Sequence, residues 1–220
     1  MEIIQLNNIT KKYKNKVIFS DVNLTIPSSS FTVLMGESGS GKTTLLNIIG
    51  GLEPQTSGEV VIEQQNIKNF SARQRADFYR HKVGLIFQGS YLQPQLTLFE
   101  NISLPGVFAK MPRAERDQRV RELARNLGIS EVLNNLPSQV SGGQAERACI
   151  ARALLLNPKI ILADEPTSNL DEKNANIILH LLNNIRLQQE ITVVVSSHSQ
   201  LVARFATQLV TVKNGTIYVQ

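Results

Sequence analysis

The residues Gly36-Glu37-Ser38-Gly39-Ser40-Gly41-Lys42-Thr43 match the pattern G-x-x-x-x-G-K-[ST] of a phosphate-binding loop. The apolar run 31–35 before them predicts a buried strand, and residues 44–49 after them predict the start of a helix. Glycines let the backbone curl until several N–H groups point at one spot, where the helix N-terminus adds partial positive charge. The motif therefore predicts a nucleotide site in which Lys42 reaches the β- and γ-phosphates and Thr43 offers a hydroxyl to Mg²⁺.

An acidic pair ends an apolar run in the second half of the chain. Residues 159–165 predict a buried parallel strand that carries Asp164 and Glu165 at its carboxyl end. Open α/β sheets bind their ligands at that edge. Asp164 would hold Mg²⁺, directly or through water, and Glu165 would polarise the attacking water. Because such a pair alone is often a solvated strand end, its significance comes from its combination with the phosphate-binding loop.

A third motif lies between these two. Val140-Ser141-Gly142-Gly143-Gln144 precedes a predicted helix over residues 145–154, for which Ser141 is a good N-cap. The motif also resembles the LSGGQ signature of ATP-binding cassette (ABC) ATPases, with Val140 in place of the usual leucine. The resemblance implies that the capped helix N-terminus points at the γ-phosphate of an ATP held by a second copy of the domain.

Further residues of the resembling family occur in the expected order. Gln88 matches the Q-loop glutamine, which touches Mg²⁺ and the attacking water, and His198 matches the switch histidine, which contacts the γ-phosphate. Tyr13 matches the aromatic residue that stacks on adenine, and Ser168-Asn169-Leu170-Asp171 matches the D-loop. Taken singly, each could be an exposed loop residue, a helix cap or a core aromatic residue. Their order, together with the three motifs above, favours the family.

The resemblance implies an ATPase with a composite site for ATP and Mg²⁺. One copy would supply the adenine contact, the phosphate-binding loop with Thr44, and the catalytic residues Lys42, Gln88, Glu165 and His198. The ligands of Mg²⁺ would be Thr43, Gln88 and Asp164. Residues 141–144 would come from the other copy, so two copies would close head to tail around two ATP molecules. The departures from the family pattern are Val140, Ala145-Glu146 where relatives often carry glutamines, and Ser199 where an aspartate often follows the histidine.

Composition and charge narrow the class of protein. The chain has 220 residues, of which 42% are hydrophobic, and this suits one large α/β domain. No apolar stretch is long enough to cross a bilayer and the N-terminus does not begin a signal peptide, so we expect a cytoplasmic protein. The only cysteine, Cys149, is expected to be a small buried residue. Although the net charge is +5, the basic residues are spread along the chain, and we expect no nucleic-acid partner.

The periodicity of apolar residues predicts the remaining elements. Strands are expected over residues 3–9, 17–26, 31–35 and 58–62. A capping box at residues 71–74 predicts a short helix, and longer helices are expected over residues 112–128 and 172–188. The last helix is amphipathic, with an apolar face formed by Ile177, Ile178, Leu181, Leu182 and Ile185.

The resemblance covers nearly the whole chain and implies its architecture. The expected fold class is α/β, with a P-loop NTPase (RecA-like) core, an antiparallel β subdomain and an inserted α-helical subdomain. Residues 1–220 would form a single nucleotide-binding domain. Its core and β subdomain would comprise residues 1–87 and 159–220, and its helical subdomain with the signature would comprise residues 88–158.

Shorter strings indicate a subgroup of the family. Residues 47–52, 88–105 and 162–171 resemble the lipoprotein-releasing and macrolide-exporter group, the LolD/MacB type. This resemblance implies a separate ATPase subunit, peripheral on the inner face of the cell membrane, beside an integral membrane permease subunit on another chain. Glu100, Asn101 and an expected break at Leu104-Pro105 would form the groove for that partner, although neighbouring apolar residues could simply close the core.

Three classes of function remain compatible with these observations. The first is the ATPase subunit of a membrane complex, which is favoured because the chain carries one cassette and no fused membrane span. The second is a soluble ABC protein that acts on ribosomes or DNA; those types carry two cassettes or a long coiled-coil insertion, and neither is found in this sequence. The third is a nucleotide-gated subunit of cell-division or cell-wall machinery, the FtsE type, whose motifs could look identical.

Overall fold

The computed structural model describes residues 1–14, 16–89 and 91–220, so Ser90 of the segment 88–105 lies outside the described residues. Ten strands lie within these ranges: β1 Glu2–Tyr13, β2 Lys16–Pro27, β3 Phe31–Met35, β4 Ser57–Ile62, β5 Gln65–Asn66, β6 Val83–Ile86, β7 Ile160–Asp164, β8 Thr192–Ser197, β9 Gln208–Lys213 and β10 Thr216–Val219. The α-helices of the same ranges are α1 Lys42–Ile49, α2 Ala72–His81, α3 Leu98–Phe108, α4 Arg113–Asn126, α5 Gly142–Leu154, α6 Glu172–Gln189 and α7 Gln200–Ala203.

The chain divides into two compact units. Unit 1 comprises Met1–Ala76 and Asn183–Gln220, and unit 2 comprises Asp77–Leu182, so the boundaries fall within α2 and α6. Within unit 1, β1 pairs antiparallel with both β2 and β4, and its Ile4, Leu6 and Ile9 side chains are buried. Strand β3 pairs in parallel with β8 and β9, and all five of its residues are buried.

Unit 2 combines a parallel strand pair with helices. Strands β6 and β7 pair in parallel, and α5 packs against β6 and against α3 and α4. Gly84 of β6 allows α5 to approach closely, since a Cβ atom there would lie 2.6 Å from the carbonyl oxygen of Ala153. Between Gln88 and Pro158 the described residues form helices, turns and irregular chain and no strand. The expected subdomain limits at 88 and 158 stay a prediction.

Most elements expected from the sequence are confirmed, several of them with different limits. Strand β3 has the expected limits, 31–35, whereas β1 and β2 are longer than expected because their backbone pairing continues to Tyr13 and Lys16. Helix α4 lies within 112–128, and the capping box at 71–74 is confirmed by hydrogen bonds of 2.9 and 3.3 Å between Ser71 and Gln74. The prediction of the apolar face of α6 is wrong at Ile177, which is 42% exposed, whereas it is confirmed at Ile178, which is buried.

The expected break at Leu104-Pro105 is also wrong, because α3 runs through Pro105. Thr97 caps this helix, and the carboxylate of Glu100 accepts a hydrogen bond of 2.8 Å from the Thr97 backbone N–H, which completes a capping box. Fully buried Leu98 and Ile102 anchor one face of α3 in the core of unit 2. The cap and this burial together outweigh the hydrogen bond that a proline cannot donate.

Candidate functional site

The phosphate-binding loop connects β3 to α1 in unit 1. Gly41 is the N-cap residue of α1 with φ 103°, a conformation that strongly favours glycine, and it offers no side chain to cap the helix. A Cβ atom on Gly41 would lie 2.7 Å from Cζ of Phe19, and one on Gly36 would lie 2.5 Å from the carbonyl oxygen of Val212. Steric constraint therefore explains both glycines of the motif.

The side chain of Lys42 lies over this loop. It is only 6% exposed, and its Nζ donates to the carbonyl oxygens of Gly36 and Glu37 at 2.9 and 3.0 Å. The loop thus curls around a cation, beside the N-terminus of α1, whose partial positive charge adds to that of the ammonium group. This arrangement can bind the phosphates of a nucleotide.

His198 follows directly after β8, next to the start of the phosphate-binding loop. Strands β3 and β8 are parallel, and Met35 is paired with Ser197. The next residues, Gly36 and His198, therefore follow paired residues at the carboxyl ends of neighbouring strands, where α/β sheets bind their ligands. His198 is exposed, and Ser199 after it caps the short helix α7.

Tyr13 forms a hydrogen bond with α1, the helix that follows the phosphate-binding loop. The Thr44 hydroxyl of α1 forms a hydrogen bond with the Tyr13 phenol, and Tyr13 as a whole is 43% exposed. Burial, followed by the hydrogen bond to Glu53, raises the pKa of Tyr13, so the phenol stays protonated at neutral pH. Unit 1 thus brings Tyr13, Thr44 and the loop together.

Unit 2 places the acidic strand end beside Gln88. The parallel register pairs Ile86 of β6 with Ala163 of β7, and the chain continues from these residues to Gln88 and Asp164. Both residues line one cleft of about 620 Å³, together with Phe87 and Tyr91. Glu165 follows β7 with φ 46°, a left-handed conformation that is uncommon for glutamate, and it is half-buried.

The signature residues begin α5 with a reciprocal cap. Ser141 Oγ accepts a hydrogen bond from the Gln144 N–H at 3.3 Å, and Gln144 Oε1 accepts one from the Ser141 N–H at 2.9 Å. The N-cap role expected for Ser141 is therefore confirmed. Ser141 and Gly142 are exposed at this helix N-terminus, where a helix favours an anion.

The D-loop contacts the signature through Asn174, a residue that the sequence analysis did not identify. Asp171 accepts hydrogen bonds from the Asn174 N–H and side-chain amide at 2.8 and 2.7 Å, and these bonds lower the pKa of Asp171. A Cβ atom on Gly143 would lie 3.2 Å from Asn174 Oδ1, and one on Gly142 would lie 3.8 Å from Leu170. The D-loop and the start of α5 therefore lie close together in unit 2.

Helix α5 carries a buried charged group just after the signature. Glu146 is 8% exposed, its Oε1 atom has no hydrogen-bond partner, and burial raises its pKa to about 7 against the opposing effect of Arg152. Cys149 is 2% exposed, which confirms the expected small buried residue, and burial raises the pKa of its thiol to about 12. Arg152 donates from Nη1 to the carbonyl oxygen of Tyr91 at 2.9 Å, and so connects α5 to the segment after Gln88.

Asn101 and Glu100 both have structural partners; Asn101 is buried and cannot line an open groove, whereas Glu100 is exposed and its place in a groove stays a prediction. Asn101 is fully buried; its Oδ1 accepts from the Gln93 N–H at 2.7 Å, and its amide donates to the carbonyl oxygens of Gln93, Leu96 and Thr97 at 3.0–3.1 Å. Glu100 belongs to the capping box of α3. The exposed apolar side chains of this part of unit 2 are instead Phe87, Tyr91, Val107 and Phe108.

The donor atoms present fit Mg²⁺. Among the described residues, no group of three or more His, Cys, Asp or Glu side chains could hold a metal. A magnesium ion bound with nucleotide phosphates needs only one or two carboxylates and other oxygen donors. Asp164 and Gln88 offer such oxygens in one cleft of unit 2, and Thr43 offers a hydroxyl in unit 1. Over the same described ranges, no helix is long and apolar enough to cross a membrane.

Comparison with known proteins gives matches over the full chain. Residues 19–168 match the family described as ABC transporter. An uncharacterized ABC transporter ATP-binding protein of Methanocaldococcus jannaschii, MJ0796, is 41% identical over 223 residues, which cover 98% of this chain and 95% of that protein. The bacitracin export ATP-binding protein BceA of Halalkalibacterium halodurans is 35% identical over 224 residues, with 100% and 88% coverage.

Solved structures of MJ0796 have the same fold as this chain. The dimeric cassette superposes with a TM-score of 0.90 at 39% identity, covering 99% of this chain and 98% of that one. The dimeric post-hydrolysis state bound to ADP and Pi gives a TM-score of 0.89 at 38% identity, with the same coverage. The expected fold class, with its antiparallel β part and its helices, is therefore confirmed.

Proposed function

Because the chain belongs to the ABC transporter family and is an ATPase of that family, we propose that it is the ATP-hydrolysing subunit of a membrane complex whose permease is a separate chain. ATP binding closes two copies of the chain head to tail, and hydrolysis opens them. The observation that carries this proposal is the exposed N-terminus of α5, where the reciprocal cap presents Ser141 and Gly142 to an external anion.

Each side chain has a defined role in this proposal. Tyr13 stacks on adenine, residues 36–44 bind the phosphates, and Lys42 stabilises the charge that develops on them. Glu165 accepts a proton from the attacking water, Gln88 orients that water, and His198 contacts the γ-phosphate. Thr43, Gln88 and Asp164 would hold Mg²⁺, which when bound neutralises negative charge on the β- and γ-phosphates. The site is complete only when Ser141 and its neighbours come from the second copy.

Mixing two inactive variants tests the shared site. Ser141→Arg blocks the signature and Lys42→Ala removes the phosphate contact, so either homodimer has two damaged sites. A heterodimer of the two variants contains one site with both intact halves, and ATPase activity should partly return. Activity of the mixture no greater than the sum of the separate variants, with heterodimers demonstrated by crosslinking, would refute the shared site.

Exposed apolar residues of unit 2 support a membrane partner. Phe87, Tyr91 and Phe108 are 41%, 70% and 76% exposed, and the first two line a cleft of about 320 Å³ with Pro105 and Tyr79. Exposed aromatic side chains are typical of protein interaction surfaces. We propose that this surface receives the permease on the cytoplasmic face of the membrane. MJ0796 and BceA are named as a transporter ATP-binding protein and an export ATP-binding protein, which supports a transport role.

Co-purification tests the membrane partner. The tagged chain should capture an integral membrane protein from detergent extracts, and Phe108→Glu should abolish this capture. Leu187→Glu is the matched control, because Leu187 is also an exposed apolar helix residue, at 60% exposure, but belongs to unit 1. Equal capture by both variants would contradict the assigned surface. Capture of a cell-division or cell-wall protein would instead favour the nucleotide-gated, FtsE-like function.

A further inference from the structure

A buried lysine and a glutamate lie directly beside Tyr13 in unit 1. Lys11 is only 6% exposed, and its Nζ lies 2.8 Å from Glu53 Oε1 and donates to the Pro54 carbonyl oxygen at 2.7 Å. The same Nζ lies over the Tyr13 ring, 4.6 Å from the centroid. One face of the ring is therefore covered by a cation that is itself held in place.

The hydroxyl end of the Tyr13 ring is also fixed. The phenol donates to Glu53 Oε1, and the hydroxyl of Thr44 forms a second hydrogen bond with the phenolic oxygen. Burial alone would raise the pKa of Glu53, but the hydrogen bonds from Lys11 and Tyr13 lower it, so Glu53 is ionised at neutral pH. The ring is thus held by a cation on one face and by hydrogen bonds at its hydroxyl, while Tyr13 as a residue stays 43% exposed.

Backbone contacts bring these distant residues together. Glu53 lies forty positions after Tyr13, in the segment between α1 and β4. That segment is joined to β1 by hydrogen bonds from the Lys12 N–H to Thr56 Oγ1 at 2.9 Å and from the Thr56 N–H to the Thr10 carbonyl oxygen at 2.8 Å. The position of Glu53 is therefore set by the same strand that carries Tyr13.

We propose that Glu53 and Lys11 are positioning residues for the base of the nucleotide. They hold the Tyr13 ring in one orientation, with Lys11 beneath it, so that a purine stacks on a surface that needs no ordering when ATP binds. This inference rests on the proposed function, in which Tyr13 stacks on adenine. The side chains of Lys11 and Glu53 bind each other, Pro54 and Tyr13, none of which belongs to residues 36–43, so we expect them to act on the base and not on the phosphates.

A purely structural role of Glu53 and Lys11 would give different binding measurements. If Glu53 and Lys11 only secured the segment between α1 and β4, replacing them would weaken the binding of every ligand of unit 1, or would only lower the melting temperature of the protein. Inorganic tripolyphosphate with Mg²⁺ separates the two cases, because it has the phosphates of ATP and no base. Calorimetric titration of the full chain with Mg-ATP and with Mg-tripolyphosphate measures both affinities.

The expected affinities follow from the size of the stacking interaction. Stacking of a base on an aromatic side chain accounts for roughly 5- to 150-fold in affinity. Tyr13→Ala should weaken ATP binding within that range, and Glu53→Ala and Lys11→Met should weaken it by about fivefold or more, without exceeding Tyr13→Ala. Glu53→Gln keeps an acceptor for the phenol and should therefore lose less affinity for ATP than Glu53→Ala does. None of these changes should alter tripolyphosphate binding.

A double-mutant cycle identifies the route through the hydroxyl. Tyr13→Phe keeps the ring and removes the donor to Glu53, so adding Glu53→Ala to Tyr13→Phe should weaken ATP binding less than Glu53→Ala does in the parent. Glu59→Ala is the matched control, because Glu59 is an exposed glutamate of β4 in the same unit. Circular dichroism and melting temperature verify that each variant is folded.

Each outcome has a definite meaning. Unchanged ATP affinity in Tyr13→Ala would overturn the assignment of Tyr13 to adenine, and with it the basis of this inference. Weaker binding in Tyr13→Ala with parental affinity in both Glu53→Ala and Lys11→Met would overturn the positioning role alone. Equal losses for ATP and tripolyphosphate would also overturn it, since the pair would then support the whole site.

Discussion

Replacing Glu146 by glutamine should make the stability of the protein less dependent on pH. The Glu146 side chain is 8% exposed, and one of its carboxylate oxygens has no hydrogen-bond partner. Burial raises its pKa from 4.5 to about 7, although the charge of Arg152 acts in the opposite direction. Ionisation of this group is therefore unfavourable in the folded chain and easy in the unfolded one.

The sign and size of the effect follow from proton binding. Between pH 4.5 and about 7 the folded state holds the Glu146 proton while the unfolded state releases it, so the free energy of unfolding falls as pH rises. The contribution is fully present below pH 4.5 and is lost above about pH 7. At 1.36 kcal/mol for each pKa unit, the loss amounts to about 3 kcal/mol. Glutamine has nearly the same shape and cannot ionise, so Glu146→Gln does not suffer this loss.

Urea unfolding followed by circular dichroism at pH 5, 6, 7 and 8 measures the effect. The difference in unfolding free energy between Glu146→Gln and the parent should grow by about 2.5 kcal/mol in favour of the variant from pH 5 to pH 8, because part of the loss has already occurred at pH 5. A constant offset reflects packing of the amide and carries no information about ionisation. Glu59→Gln, at an exposed site, should show no such growth. Parallel pH curves for Glu146→Gln and the parent would refute the reasoning.

Two further substitutions test the packing around the site. Asn101→Leu removes the side-chain partner of the Gln93 N–H and of the Leu96 carbonyl oxygen at a fully buried position, whereas the Gln93 and Thr97 carbonyl oxygens keep the backbone donors Leu96 N–H and Asn101 N–H. It should lower the free energy of unfolding by about 3 kcal/mol; a loss no larger than that of an exposed asparagine would contradict the assigned hydrogen bonds. Gly41→Ala combines a positive φ with a 2.7 Å approach to Phe19, whereas Gly39→Ala has a positive φ in open space. In urea unfolding, the free energy of unfolding should therefore fall by about 3 kcal/mol in Gly41→Ala and by about 1 kcal/mol in Gly39→Ala. Equal losses in the two variants would contradict the steric role of Phe19.

The local geometry of the phosphate-binding loop and of the start of α5 could be predicted from the sequence, because each depends on residues close together in the chain. Gly41 stands where φ is 103°, and Ser141 caps its own helix through Gln144, three positions later. Both features follow from backbone sterics and short-range hydrogen bonds. The hairpin of β9 and β10 was missed, although Asn214-Gly215 between alternating residues is a strong hairpin signal.

Features that depend on distant residues could not be predicted from patterns. Pro105 indicates a helix break, but the cap at Thr97 and the burial of Ile102 keep α3 continuous. Ile177 fits the apolar side of a helical wheel, yet it lies at the edge of that face and stays exposed. The contact between Tyr13 and Glu53 joins two segments forty positions apart, for which no periodicity gives a signal.

The proposed composite ATPase site is tested most directly by the mass of the Glu165→Gln variant with and without Mg-ATP. The amide retains the shape of the carboxylate but cannot accept a proton from the attacking water, so ATP should bind and remain intact. Size-exclusion chromatography with light scattering should then show twice the mass of the chain with ATP and a single chain without it, and adding Lys42→Ala should abolish the dimer. A Glu165→Gln variant that stays monomeric in saturating ATP, or hydrolyses it at the parental rate, would contradict the account.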